Sequence, residues 1–140
     1  MHPGPRPPHL QSRALALVAT GGVLGTLARY ALARLLPTPA GGLPVATLVT
    51  NLVGAFLLGL LLELLSQAGA DEGRARQARL LLGTGLLGAF TTWSTLAVEV
   101  VLLGRDERPG LGLTYGVVSV LGGLAAAAAG VLVVVRLRRS

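Results

Sequence analysis

The chain has 140 residues, of which 52% are hydrophobic and a further 20 are glycine, while only 13% are charged. A water-soluble domain of this size needs a mostly polar surface, with about 25% charged residues; a mean hydropathy of +0.70 excludes that, and the absence of cysteine excludes a disulfide scaffold. The net charge of +6 comes from 12 basic residues, all arginine, which cluster at the ends of apolar stretches without interleaved aromatics. That pattern points to membrane flanks and away from a nucleic-acid partner.

Residues 1–13, which open MHPGPRPPHLQS, read as a disordered tail. Its His2 and His9 stand apart from any other ligand-type residue, so no metal site is expected there. Four apolar spans follow, at Ala14–Leu36, Val45–Leu65, Leu80–Gly104 and Leu111–Val135. Each is long enough to cross a hydrocarbon core of about 30 Å, and in lipid a helix satisfies every backbone group within one segment. The first span is too long for the core of a signal peptide and lacks an evident cleavage site, so it is expected to stay in the mature protein.

The connections are short. Pro37–Pro44 reads as a Pro/Gly turn, Ser66–Arg79 as a charged loop with room for a helical piece, and Arg105–Gly110 as a tight turn. Residues 136–140 form a basic tail. Four spans place both termini and the second loop on one side. Arg6, Arg13, Arg74, Arg76, Arg79, Arg136, Arg138 and Arg139 lie there; Arg29, Arg34, Arg105 and Arg108 lie on the other. The excess favours termini in the cytoplasm. Gly21 and Gly25 on the first span, and Gly122, Ala126 and Gly130 on the fourth, recur at the spacing that lets helix backbones approach closely. The spacing leaves open whether that packing lies within or between subunits.

Polar groups at bilayer depth are costly and therefore candidates for function. Asn51 lies about one-third into the second span, and two readings stand side by side: an interhelical hydrogen bond, or a donor aimed at an anion. The third span places glycines and then Thr91, Thr92, Ser94 and Thr95 in the middle of an apolar helix. Such a run predicts a break near Gly88–Thr91, where freed carbonyls suit a cation and freed amides and hydroxyls suit an anion. Glu99 needs a partner, and Arg29 is the expected one, as a salt bridge or a snorkelling pair. Glu63 is expected at the interface. Tyr115 and Ser119, four residues apart, share a helix face as a hydroxyl ladder or as a packing surface. The chain has no Ser/His/Asp set, HExxH motif, P-loop or paired carboxylates. It therefore reads as a transport or scaffold protein, not an enzyme.

These residues resemble the Fluc/CrcB fluoride channels over about residues 19–123. The first-span pattern GGxxGxxxRY stands as Gly21-Gly22-Val-Leu-Gly25-Thr-Leu-Ala-Arg29-Tyr30. The second-span pattern GTLxxNxxGSFxxG runs from Ala46-Thr47-Leu48 through Asn51, Gly54, Ala55 and Phe56 to Gly59. The third-span signature runs from Thr84-Gly85 through Gly88, Phe90, Thr91-Thr92-Trp93-Ser94-Thr95-Leu96 to Glu99, and Tyr115 and Ser119 match a Tyr-x-x-x-Ser in the fourth span. The resemblance implies an all-α membrane protein of four transmembrane helices, the third broken near the midplane. It also implies an antiparallel dimer with two fluoride pores in the bacterial plasma membrane, through which toxic cytoplasmic fluoride leaves passively.

By motif position, the resemblance puts Asn51, Trp93, Ser94, Thr95, Leu96, Tyr115 and Ser119 along the pore and Arg29 in a vestibule. It puts a structural Na⁺ on the backbone carbonyls of Gly88 and Thr91. Two family phenylalanines, whose ring edges carry positive quadrupole toward the ion, correspond to Trp93 and Leu96. Ala46 and Ala55 replace the family's Gly and Ser, and a further track serine falls on Gly123. Leu96 and the unbalanced arginines admit a second reading, one half of a heterodimer in which a single pore has decayed. A small multidrug-type exporter, which needs a carboxylate in its first span, and a non-conducting scaffold are the alternatives.

Overall fold

Prolines set where the helices stop and start. Helix α1, Ser12–Leu35, ends two residues before Pro37, and α2, Val45–Ser66, begins directly after Pro44. Helix α6, Pro109–Leu137, has proline in its first turn, where the missing N–H has no helical acceptor and φ is already helical. Between α2 and α6 the chain forms α3, Gly73–Ala78, then a π-helical stretch, Arg79–Leu87, then the short α4, Gly88–Phe90, and finally α5, Trp93–Arg105. The computed structural model describes residues 12–39, 42–68, 71–105 and 108–139.

Among the described residues all regular structure is helical, with no strand. Four stretches are long and apolar enough to cross a membrane: Ser12–Leu35, Val45–Ser66, Gly73–Arg105 and Pro109–Leu137. The third stretch is longer than its apolar core, because Gly73–Ala78 continues the helix through Arg74 and Arg76; part of the charged loop is thus helical. Ser12 and Arg13, placed in the tail from the sequence, are helical, and residues 1–11, with His2 and His9, lie outside the described residues. At the other end Arg136 and Leu137 complete α6, and Arg138 and Arg139 form a turn.

Glycine sets the packing. A Cβ on Gly21 would lie 2.0 Å from the Leu81 carbonyl oxygen, and one on Gly25 would lie 2.1 Å from that of Leu86. One on Gly85 would lie 2.7 Å from the Val18 oxygen. Helix α1 therefore meets the π-helical stretch backbone to backbone, which settles the Gly21/Gly25 ridge as contact within the subunit. In that stretch hydrogen bonds reach five residues back, as from the Gly88 N–H to the Gly83 carbonyl, and the widened backbone fits the glycine-lined groove. Helices α2 and α6 meet the same way: a Cβ on Gly59 would lie 2.2 Å from Ala127 O, and one on Gly130 2.2 Å from Phe56 O. Lipid tails supply no hydrophobic drive for helix association, so such close van der Waals contact is what holds the bundle.

A small apolar cluster of Leu96, Leu103 and Tyr115, flanked by Leu48, Val100 and Leu111, joins α2, α5 and α6. Large apolar side chains such as Leu27, Val53 and Leu121 face outward, as expected where the solvent is lipid.

Candidate functional site

The site is built around an interruption in the third span. Helix α4 ends at Phe90, Thr91 is extended at φ −74°, ψ 156°, and α5 starts at Trp93. Thr91 turns back on α4: its N–H and its hydroxyl both donate to the Leu87 carbonyl at 3.0 Å. In an uninterrupted α-helix the Thr92 N–H would donate to the Gly88 carbonyl. Here it donates to Asn51 Oδ1 at 2.8 Å, while Asn51 Nδ2 donates to the Thr92 carbonyl at 3.0 Å. One amide side chain thus takes both backbone groups of the residue at the break, which lipid could not satisfy.

Thr92 also starts the next helix. Its Oγ1 accepts the Thr95 N–H at 3.2 Å, an N-cap for α5. Its hydroxyl proton goes to Thr95 Oγ1 at 2.9 Å, so the Thr95 proton remains for a further acceptor. Ser94 Oγ lies 3.4 Å from Thr92 Oγ1. One turn after Asn51, Gly54 completes the seat on α2: a Cβ there would lie 2.3 Å from Thr91 Cγ2. The role of Gly54 was missed in the sequence, although Asn-x-x-Gly on one helix face opposite a hydroxyl run was the available signal.

Two hollows flank the break. On one side an open groove of about 630 Å³ is lined by Asn51, Thr91, Thr92, Trp93, Leu96 and Ser119, continuing along α6 past Gly123 and Ala127. On the other a cavity of about 310 Å³ is lined by Arg29, Tyr30, Thr47, Thr50, Thr92 and Thr95. Thr92 borders both. Most of the residues singled out in the sequence, from four different helices, therefore come together here.

Glu99 does not pair with Arg29. Its Oε1 accepts the Thr47 hydroxyl at 2.7 Å and its Oε2 the Tyr115 hydroxyl at 2.7 Å; the Pro44 carbonyl lies 3.4 Å from the same phenol oxygen. The reason is position: α1 packs on the π-helical stretch and α4, before the break, whereas Glu99 lies after it between α2 and α6. Glu63 holds Gln67 in a short side-chain hydrogen bond in the last turn of α2.

The remaining side chains are placed as follows. Ser119 donates to the Tyr115 carbonyl at 2.7 Å, so its proton is committed to its own helix. Thr50, 1% exposed, does the same with Ala46 O at 2.7 Å. Trp93 is 71% exposed and stands out from the bundle, whereas Leu96 at 4% is packed into the core. Gly88 is exposed. Among the described residues no three or more His, Cys, Asp or Glu gather as metal ligands.

A family model described as "CrcB-like protein, Camphor Resistance (CrcB)" matches residues 16–131. The chain belongs to the CrcB family. The match takes in the second and third spans up to and beyond the break and its seat, and most of the first and fourth, and with these spans the chain is a multi-pass membrane protein. It is 46% identical over 125 residues to "Fluoride-specific ion channel FluC 2" of Leifsonia xyli subsp. xyli, covering 89% of this chain and 86% of that protein. To "Fluoride-specific ion channel FluC 1" of Cutibacterium acnes it is 56% identical over 85 residues, covering 61% and 59%. To "Fluoride-specific ion channel FluC" of Thermus thermophilus it is 45% identical over 109 residues, covering 77% and 84%.

Proposed function

We propose that this CrcB-family chain is a subunit of a fluoride channel of the bacterial plasma membrane and not an enzyme. The observation that carries this reading is the groove beside the break. It draws Asn51, Thr91, Trp93, Leu96 and Ser119 onto one wall that runs along α6, in a chain whose relatives are named fluoride-specific channels. Fluoride is small and strongly hydrated, so a pore must offer donors in place of the water it sheds. In the groove the Asn51 amide is such a donor, through the N–H that the Thr92 carbonyl leaves over, and in the adjoining cavity so is the Thr95 hydroxyl, with its proton left over by the Thr92 bond. Arg29 in the adjoining cavity raises the local concentration of anions. Flow is passive, and under a cytoplasmic load fluoride leaves.

The reading extends to an antiparallel dimer, with the break near the bilayer midplane and a structural Na⁺ between subunits. The donor chemistry fits such an ion. Asn51 takes the N–H that would otherwise occupy the Gly88 carbonyl, Gly88 is exposed, and no carboxylate or imidazole cluster competes for the role among the described residues. Gly88 and Thr91 would hold the ion through backbone oxygens, and it would tie two copies together there.

The test is fluoride efflux from liposomes loaded with fluoride and reconstituted with the purified chain. Efflux that exceeds chloride efflux by orders of magnitude is the expected outcome; none, with the chain alone or with a homologous partner, would end the channel reading. A second reading is that this chain is one half of a heterodimer. It is favoured by Leu96, packed into the core at a ring position, and by the eight-to-four distribution of arginines. C-terminal reporters active on opposite membrane sides should then signal from the cytoplasm alone. Equal signals would mean dual insertion and would exclude the obligate partner.

A further inference from the structure

At the end of the bundle that carries the termini, α1 and α3 enclose a cleft of about 170 Å³ between Arg13, Arg76 and Gln77 above and Leu17 and Leu80 below. Arg13 Nη2 donates to Gln77 Oε1 at 3.3 Å, a neutral amide in place of a carboxylate, so the arginine is held in position with its charge uncompensated by that contact. The nearby Asp71 carboxylate is taken by Arg79 at 2.7 Å. Arg74, on α3, adds further positive charge at this end.

The cleft has the layered chemistry of a membrane surface. Arg13 lies in the first turn of a helix long and apolar enough to cross a membrane, the turn at which such a helix meets the headgroups, and Leu17 is one turn further along it, toward the acyl chains. A guanidinium is suited to a phosphate because its fork of N–H donors matches two phosphate oxygens. Basic pockets between helices at the cytoplasmic surface recognise anionic lipid headgroups by this combination of charge and depth.

We infer that the Arg13–Arg76–Gln77 cleft binds the phosphate of an anionic phospholipid headgroup, with Leu17 and Leu80 against the start of its acyl chains. The apolar floor selects the lipid over a free phosphate ion. The site is separate from the groove at the break, and it stands whether or not the chain conducts fluoride.

Native mass spectrometry of the full chain, purified in detergent and offered equal phosphatidylglycerol and phosphatidylcholine, tests this. The wild type should retain phosphatidylglycerol in preference. Each arginine near an anionic surface contributes about fivefold, so Arg13→Gln with Arg76→Gln should lower that preference by about twenty-five-fold. Arg138→Gln with Arg139→Gln, which removes the same charge elsewhere at this end, should leave most of it. Should the first pair fail to fold, Arg13→Gln alone should still lose about fivefold. Millimolar inorganic phosphate should not displace the lipid. Equal retention of the two lipids by the wild type, an equal loss in the charge-matched control, or displacement by phosphate would each overturn the site.

Discussion

The two contacts that hold the third span differ in kind. Before the break, the π-helical stretch lies against α1 through glycines, with backbone atoms so close that an added carbon at Gly21 or Gly25 would fall on a carbonyl oxygen. At the break, Thr91 and Thr92 lie against α2 through Asn51, whose amide bonds both Thr92 backbone groups. The first contact is specified by shape and tolerates no added volume. The second is specified by hydrogen bonding, and what it does not tolerate is the loss of a partner, since an unpaired backbone group in lipid costs several kcal/mol. A span with a gap in the middle therefore needs both: a rigid half to anchor it and a polar seat to hold the gap.

The sharpest way to break the comparison is to add volume to the shape-specified half. Gly25→Leu should leave little or no folded protein, because backbone on the opposite element must move; overpacking typically costs about 1–3 kcal/mol, and more when backbone is displaced. Gly22→Ala, whose Cβ would meet nothing within 4 Å, should instead fold as well as the parent or slightly better. Yield and elution profile in mild detergent report both. Equal yields from the two variants would mean that the close approach at Gly25 does not govern the fold.

The next effect falls on the polar seat. Asn51→Ala strands the Thr92 N–H and carbonyl together, at about 1–3 kcal/mol for each buried group left unpaired. Asn51→Asp keeps an acceptor for the N–H but loses the donor to the carbonyl and adds a negative charge to the groove. Its stability should fall less than that of Asn51→Ala, yet its fluoride efflux should fall more. Repulsion between unit charges at about 4 Å is about 4 kcal/mol at an effective dielectric of about 20, near a thousandfold in occupancy. Thermal melting and liposome efflux, measured on both variants, separate support of the break from anion recognition. Parent-level efflux from Asn51→Asp would remove Asn51 from the path.

What could be read in the sequence follows the same division. The four spans were legible because length and hydropathy in lipid leave helix as the available form. The Gly21/Gly25 and Gly130 ridges were legible as packing, though not which element they face, since that depends on how the third span is wound. The hydroxyl run was legible as a place where a helix is weak. The partners at that place were not. Pairing Glu99 with Arg29 assumed that opposite charges near span ends find each other, but the fold puts α1 on the near side of the break and gives Glu99 the hydroxyls of Thr47 and Tyr115. Likewise, one amide side chain offers a donor and an acceptor, and the sequence alone does not say that a backbone break will claim both.

A smaller effect is expected one residue into the gap. Thr92→Val removes the oxygen that accepts the Thr95 N–H, and loss of such a cap costs about 1 kcal/mol; Thr92→Ser keeps the oxygen and should be nearly silent. The Asn51 bonds to the Thr92 backbone are untouched by either change, so the seat should persist and only the start of α5 should loosen. Hydrogen exchange at Thr95 would show it. Unaltered protection in Thr92→Val would mean that the seat alone holds the gap.

The smallest effect sharpens the comparison by filling a glycine that is not jammed. Gly123 lines the same groove as Asn51 and Ser119, four residues beyond Ser119 on α6. Unlike Gly130 on the same helix, a Cβ at Gly123 would meet nothing within 4 Å. Gly123→Ser should therefore fold without strain and gain a few tenths of a kcal/mol from the lower helix propensity of glycine. Its hydroxyl can donate to the carbonyl of Ser119, as Ser119 donates to that of Tyr115, or turn into the groove and meet a passing anion. If the groove conducts, the extra donor should raise fluoride efflux modestly, by about fivefold at most, the worth of about 1 kcal/mol of net hydrogen bonding. A lowered melting temperature would mean that the space beside Gly123 is filled when the chain is assembled, and would place a second subunit against this face of α6.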